Sequence, residues 1–197
     1  MPARWWSLLS RNSRTTDSRG AAKSAGFFFP LLPRRAACAL IAAAVLLTDR
    51  VTKLWIERNV SVWDTLHVIP GFFDIVHAKN KGAAFGIFSE GESQLRTFLL
   101  IGISLGVLIF ISVMLLRPSP KGFGETRLSF TGLSLVLGGA LGNVYDRIVH
   151  GMVTDFLEFY IGAYRFAAFN IADSAITVGA AMLLLDMWRT RNQAVET

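Results

Sequence analysis

Four apolar runs separated by polar stretches organise this chain: Ala36 to about Ile56, Phe98 to Leu116, Leu128 to Val144, and Ile171 to about Met187. Each is roughly 17 to 21 residues long, enough for a helix to cross about 30 Å of hydrocarbon. The pattern predicts four membrane-spanning helices, the third and fourth short enough that their ends lie shallow. Small residues recur four apart at Gly102 and Gly106, Gly138 and Gly142, and Ala175 and Gly179. Such faces let helix backbones approach closely, so a compact bundle is expected. Between the first two runs, residues 60 to 88 are rich in Val, Ile, Phe and Gly, with Pro70-Gly71 as a turn signal and patchy alternation around Phe72, Ile75 and Val76. This predicts a small β-rich element, able to roof a site, rather than another span.

Composition agrees with the pattern. A chain of 197 residues that is 52% hydrophobic and 17% charged, with a mean hydropathy of +0.45, is too apolar for an ordinary soluble domain and reads as an integral membrane protein. The net charge of +6 raises the question of nucleic acid. The Lys and Arg residues are spread along the chain, however, with no basic stripe interleaved with aromatics, so no nucleic-acid partner is expected. They cluster instead at span flanks: seven before the first span (Arg4, Arg11, Arg14, Arg19, Lys23, Arg34, Arg35), then Arg117, Lys121 and Arg127, then Arg189 and Arg191. By the positive-inside rule both termini are cytoplasmic and the connections 57 to 97 and 145 to 170 lie outside. Residues 1–33 read as a disordered cytoplasmic tail, 34–188 as the membrane domain and 189–197 as a C-terminal cytoplasmic tail. A cleavable signal peptide is not expected, because the first long apolar run begins far inside the chain at Ala36. The single cysteine, Cys38, excludes an internal disulfide framework and reads as core. His67, His77 and His150 have no metal-ligand spacing, so no metal or other cofactor is expected.

Polar groups beside these spans are the candidates for chemistry. Asp49 and Lys53 sit four apart on one face of the first span, acid first. They fit a structural ion pair, with Lys53 and Arg50 snorkelling to the outer interface, or a direct role in a site. Asn80 and Gly82 in KNKGAAFG fit an ordinary turn or an amide that orients a substrate backbone. Asn143, Asp146 and Arg147 close the third span. They fit an interfacial belt, with Tyr145 anchoring and Asp146 paired near Arg147, or groups that satisfy the backbone of a peptide leaving lipid. Asn170 and Asp173 fit a helix N-cap with an acidic first turn, and Asp155 fits the cap of a short helix carrying Glu158. The alternative for Asp155 and Asp173 is a carboxylate pair whose pKa values are pushed apart, one deprotonating water and the other polarising a carbonyl. Both fall on the same, outer side of the predicted topology.

In this order the segments resemble the type II signal peptidases, the lipoprotein signal peptidases of bacteria. The resemblance spans about Ala36 to Trp188 and rests on five motifs: Asp49 with Thr52 and Lys53, Asn80 with Gly82-Ala83-Ala84-Phe85, Gly142-Asn143 with Asp146-Arg147, Val153 with Asp155-Phe156, and Phe169-Asn170 with Ala172-Asp173. It implies an all-α membrane protein, a four-transmembrane-helix bundle with a small extracytoplasmic β-cradle and an amphipathic flap. It implies catalysis by Asp155 and Asp173, substrate binding by Asn80, Asn143, Arg147 and Asn170, and supporting roles for Asp49, Lys53, Gly82 and Asp146. The implied enzyme is a monomeric aspartic endopeptidase of the bacterial inner membrane, acting at its outer face. Its partners would be membrane lipids and lipid-modified prolipoproteins, cut just before the diacylglyceryl cysteine. The chain departs from the family in its long tail before Ala36, in Lys81 between Asn80 and Gly82, and in Ala167-Ala168 where a proline is frequent. Two rival chemistries remain: a Ser174/Lys53 dyad, and a proton-coupled transporter using Asp49, Asp155 and Asp173 as a relay. Four spans without an internal repeat count against the transporter.

Overall fold

The computed structural model describes residues 34–62, 64–81, 93–116 and 126–195. The tail expected over 1–33, Gly82 with the rest of its GAAF motif, and Arg117 and Lys121 lie outside the described residues. Within them the chain runs α1 (Arg34–Asn59), β1 (Thr65–Ile69), β2 (Phe73–Asn80), α2 (Ser93–Leu116), α3 (Arg127–His150), β3 (Val153–Ile161), β4 (Tyr164–Arg165) and α4 (Ile171–Val195). By length and composition α2, α3 and α4 can each cross a membrane. α1 is as long, but Asp49, Arg50, Lys53, Glu57 and Arg58 fill its second half. Asp49 and Lys53 are fully buried, so these two charges turn into the bundle and not toward lipid.

α3 is the central helix, packed on α1, α2 and α4. Its glycines explain why. A Cβ on Gly138 would lie 2.7 Å from the Ala42 carbonyl oxygen of α1, and one on Gly139 would collide with the Ala172 carbonyl of α4. On α4, a Cβ on Gly179 would lie 2.6 Å from the Gly132 carbonyl oxygen of α3. Two of the three small-residue pairs therefore make the close contacts expected of them. The third does not: Gly102 and Gly106 of α2 have nothing within 4 Å of an added Cβ. α2 is held instead by Leu108 and Ile111 against Leu133, Val136, Ala140 and Val144, and leaves Phe98, Ile103, Ile109 and Phe110 exposed, as a lipid-facing surface requires. Far from the sheet, Thr126 caps α3, accepting from Ser129 N at 3.0 Å. Thr126 and Ser129 both donate to the buried Asp186 carboxylate of α4, which ties the two helices at that end.

The strands form one antiparallel sheet in the order β1-β2-β3-β4. Its first hairpin falls where the sequence predicts β structure, turning through Gly71 at φ 74°. The second half corrects the reading of the 145 to 170 connection. Asp155 and Glu158 lie on a nine-residue strand and not on a short helix. Glu158, buried, accepts from Tyr160 Oη at 2.6 Å and from Arg165 Nε at 2.7 Å, so the acid that would have polarised a helix instead fastens β3 to β4. That hydrogen bond pushes the Tyr160 phenol up to about 12.

The sheet docks on the bundle through Ile56, Val60 and Phe156, with Ile75, Leu157 and Ile171 packed around them. Leu157 and Phe169 exchange backbone hydrogen bonds of 2.8 and 3.0 Å. The residues just before α4 are thereby laid against β3, which brings Asn170 and Asp173 to Asp155.

Candidate active site

Asp155 sits on β3 opposite Ala78 of β2, 3% exposed. Its Oδ2 accepts from Asn80 Nδ2 at 2.9 Å and its Oδ1 from Asn170 Nδ2 at 2.7 Å. Burial pushes the carboxyl from its ordinary 3.8 up to about 6, and the charge of nearby Asp173 adds to that, outweighing the two amide hydrogen bonds.

Asp173 lies in the first turn of α4, with Asn170 immediately before the helix. Asn170 Oδ1 accepts from Asp173 N at 2.9 Å, and Asn170 N donates to Asp173 Oδ2 at 3.3 Å. This reciprocal pair is a capping box in which the acid at the third helical position is an aspartate. The capping role read from the sequence is therefore real, and it coexists with the site: the same Asn170 that caps α4 also donates to Asp155. Asn143 of α3 completes the link, donating Nδ2 to Asp173 Oδ1 at 2.7 Å. Asn143 Oδ1 lies 3.3 Å from Lys53 Nζ and 3.4 Å from Asn170 Nδ2, so its amide is oriented with oxygen toward cation and N–H toward carboxylate.

Beneath the two aspartates is a buried charge cluster. Lys53 Nζ lies 2.7 Å from both Asp49 Oδ2 and Asp146 Oδ2, the second an ion pair off the hydrogen-bond direction. Asp146 also pairs with Arg50, whose guanidinium lies 4.7 Å over the Tyr145 ring. Asp49 Oδ1 accepts from the backbone N–H of Ala172 at 3.0 Å. Two expectations are corrected here. Lys53 does not snorkel, since it is fully buried between two carboxylates, and Asp146 pairs across to α1 and not near Arg147. Arg147, half-buried, donates to the Asn143 carbonyl at 3.3 Å and sits in the field of Asp173, Asp155 and Asp146.

Asp49, Lys53, Asn80, Asn143, Asp146, Arg147, Asp155, Asn170 and Asp173 thus converge at one end of the bundle under the sheet. Of the sequence-derived set only Gly82 lies outside the described residues. The Ser174/Lys53 pairing finds no support, because Ser174 Oγ donates to the Asn170 carbonyl at 2.9 Å and Lys53 is engaged by two acids. Arg50, expected to snorkel to the outer interface, pairs instead with Asp146 because α1 and α3 are packed together. The Ala172 N–H, a backbone group, had no legible signal.

Residues 41–189 match the family model described as signal peptidase (SPase) II, Peptidase_A8. The chain belongs to the signal peptidase II family. It is 51% identical over 154 residues to the lipoprotein signal peptidase of Solibacter usitatus, covering 78% of this chain and 92% of the relative. It is 36% identical over 152 residues to that of Maridesulfovibrio salexigens, covering 77% and 95%. A solved structure described as a bacterial membrane enzyme, determined by the in meso method, superposes with a TM-score of 0.69 at 31% identity, covering 80% of this chain and 91% of that one. A second, of the same description, gives 0.66 at 32% identity, covering 77% and 92%. As a signal peptidase II the chain is an aspartic peptidase of a multi-pass bacterial membrane protein family, and its fold is the one those structures share.

Proposed function

We propose that this peptidase removes signal peptides from diacylglyceryl-modified prolipoproteins by cutting before the lipidated cysteine, with Asp155 and Asp173 as the catalytic dyad. The observation that carries the reading is the joining of these two carboxylates through one residue, Asn170, which donates to Asp155 at 2.7 Å and caps Asp173. One carboxyl held near 6 beside another is the arrangement in which a single proton is shared. In the ionised member's role a carboxylate takes a proton from water as it attacks the scissile carbonyl. The protonated member stabilises the developing oxyanion, then gives its proton to the leaving amine as the tetrahedral intermediate collapses. Base and acid are roles of the dyad and not fixed labels, since they exchange as the intermediate collapses.

Asn80, Asn143, Arg147 and Asn170 line the same place with N–H donors, and they bind the extended peptide backbone leaving lipid. Asp49, Lys53 and Asp146 support them from below, and Gly82 remains an expectation from the family resemblance. The substrate arrives by lateral diffusion with its acyl chains in the bilayer, so a monomeric peptidase domain over 34–188, flanked by cytoplasmic tails, suffices. Purified protein in lipid should cleave a precursor peptide bearing a diacylglyceryl cysteine, leave the unlipidated peptide intact, and be indifferent to EDTA. Equal turnover of both peptides would refute the substrate class. Loss of activity on chelation, restored by a divalent metal, would refute the dyad.

The positive flanks support a topology with both termini in the cytoplasm and the site at the periplasmic face. In a Cys38→Ala background, Ser61→Cys should react with a membrane-impermeant reagent from outside, and Ser119→Cys only after permeabilisation. The reverse pattern would put the dyad on the wrong side for exported precursors.

A further inference from the structure

The two strands that carry Asp155 and Asn80 present one face to the site and the other to α1. Side chains alternate along a strand, so residues next to Asp155 and Asn80 point away from them. On that far face Lys79 and Thr154 are cross-strand partners, and both reach the same oxygen of Glu57, near the end of α1. Thr154 Oγ1 donates to Glu57 Oε1 at 2.6 Å and Lys79 Nζ donates to it at 3.0 Å, while Lys79 Nζ also lies 3.2 Å from Thr154 Oγ1. Thr154 is 3% exposed. The Glu57 and Lys79 side chains are partly open, at 24% and 33%.

We propose that Glu57 is a positioning residue for the peptidase, gripping Lys79 and Thr154 so that Asn80 and Asp155 meet on the opposite face. The proposal rests on the dyad reading above. Two features give it weight. The β2–β3 register shifts between Ile75 and Ala78, so the last three pairs, Ala78 with Asp155, Lys79 with Thr154 and Asn80 with Val153, form a short ladder segment cut off from the regular pairing before it. The Asn80–Asp155 hydrogen bond spans those same last residues, and a small rotation of either strand would lengthen it from 2.9 Å. A carboxylate anchored on a helix, holding one residue of each strand, removes that freedom. Glu57 touches neither reacting atom, so its effect passes entirely through the strands.

The readout is steady-state cleavage of the lipidated peptide across pH. Asn80 donates to the ionised form of Asp155, and loosening that bond disfavours ionisation. Glu57→Ala and Thr154→Val should each lower kcat about tenfold with KM within about twofold, and should move the limb of the pH profile that reports Asp155 to higher pH. Thr154→Ser keeps the hydroxyl and should retain wild-type kcat and profile. Because the residues act as one unit, the Glu57→Ala/Thr154→Val double variant should be no slower than the worse single one. Thr154→Val and Thr154→Ser decide the matter even if Glu57→Ala fails to fold. Equal losses in both Thr154 variants, additive losses in the double variant, or a fall in Tm with an unmoved pH profile would each overturn the positioning role. Asp155→Asn, run alongside, separates the two levels. If it still cleaves, the dyad reading fails; if it is inactive while Thr154→Val and Glu57→Ala keep full kcat and an unmoved profile, only the positioning role fails.

Discussion

Asp155→Asn and Asp173→Asn should each lower cleavage of a lipidated precursor by about 10²-fold to 10⁴-fold or more, because an amide neither takes a proton from water nor supplies one to a leaving amine. Stability tells whether such a loss is chemical or structural, and for Asp155 its sign can be worked out. The native carboxyl holds its proton up to about 6 against an ordinary 3.8, so the folded state binds that proton more tightly than the unfolded one. Stability from this group is therefore greatest below pH 4, falls as pH rises toward 6, and at neutral pH carries a penalty on the order of 3 kcal/mol. Asparagine removes that penalty. It also turns an N–H toward Asn80 or Asn170, each of which donates to the carboxylate, and one donor left unpaired costs about 1–3 kcal/mol. The two effects offset near pH 7, where Asp155→Asn should melt within a few degrees of wild type. At pH 5, where the wild-type penalty is partly relieved, the variant should be the less stable of the two. Appreciable turnover by either folded variant would remove the dyad assignment.

The helices were legible in the sequence because lipid demands long apolar runs, and the runs mark all four. Their ends were not. α3 continues six residues past Val144 to His150, and α4 runs to Val195, because a helix outlasts the lipid when its polar turns find partners. Asp146 and Arg147 are such residues, the first paired with Arg50 and Lys53 and the second donating to the Asn143 carbonyl. β3 was missed for a related reason: VTDFLEFYI alternates imperfectly, and it is a strand because β2 and Phe169 lie on either side of it. Local pattern cannot supply those neighbours. Asp155, Asp173, Asn143 and Asn170 were legible as candidates through polar residues set beside apolar runs and through motif order. Which residue donates to which was not, because Lys53 reaching Asn143, and Asn170 reaching Asp155, join positions 90 and 15 residues apart. The reading of Lys53 erred in the same way. Seen on α1 alone it looks free to snorkel, and only the packing of α3 closes Asp146 over it.

Lys53→Met should be among the most destabilising substitutions in the chain. Asp49, Lys53, Asp146 and Arg50 carry two charges of each sign, and the first three are nearly or wholly buried. Removing the ammonium leaves a net negative charge with Asp49 held only by the Ala172 N–H, and breaking a buried pair in this way costs about 3–5 kcal/mol. In a domain of this size that is a Tm lower by on the order of 10 °C. Asp49→Asn added to Lys53→Met restores neutrality, and its amide oxygen can still accept from Ala172, so most of the stability should return. Activity should not return with it. Lys53 Nζ also sits 3.3 Å from Asn143 Oδ1, and without that cation nothing charged keeps the Asn143 N–H turned to Asp173. The double variant should therefore fold like wild type yet cleave at least about tenfold more slowly, as loss of an orienting contact does. Full activity in the stabilised double variant would show that Lys53 serves the fold alone, and an unchanged Tm in Lys53→Met would show that the buried acids are compensated elsewhere.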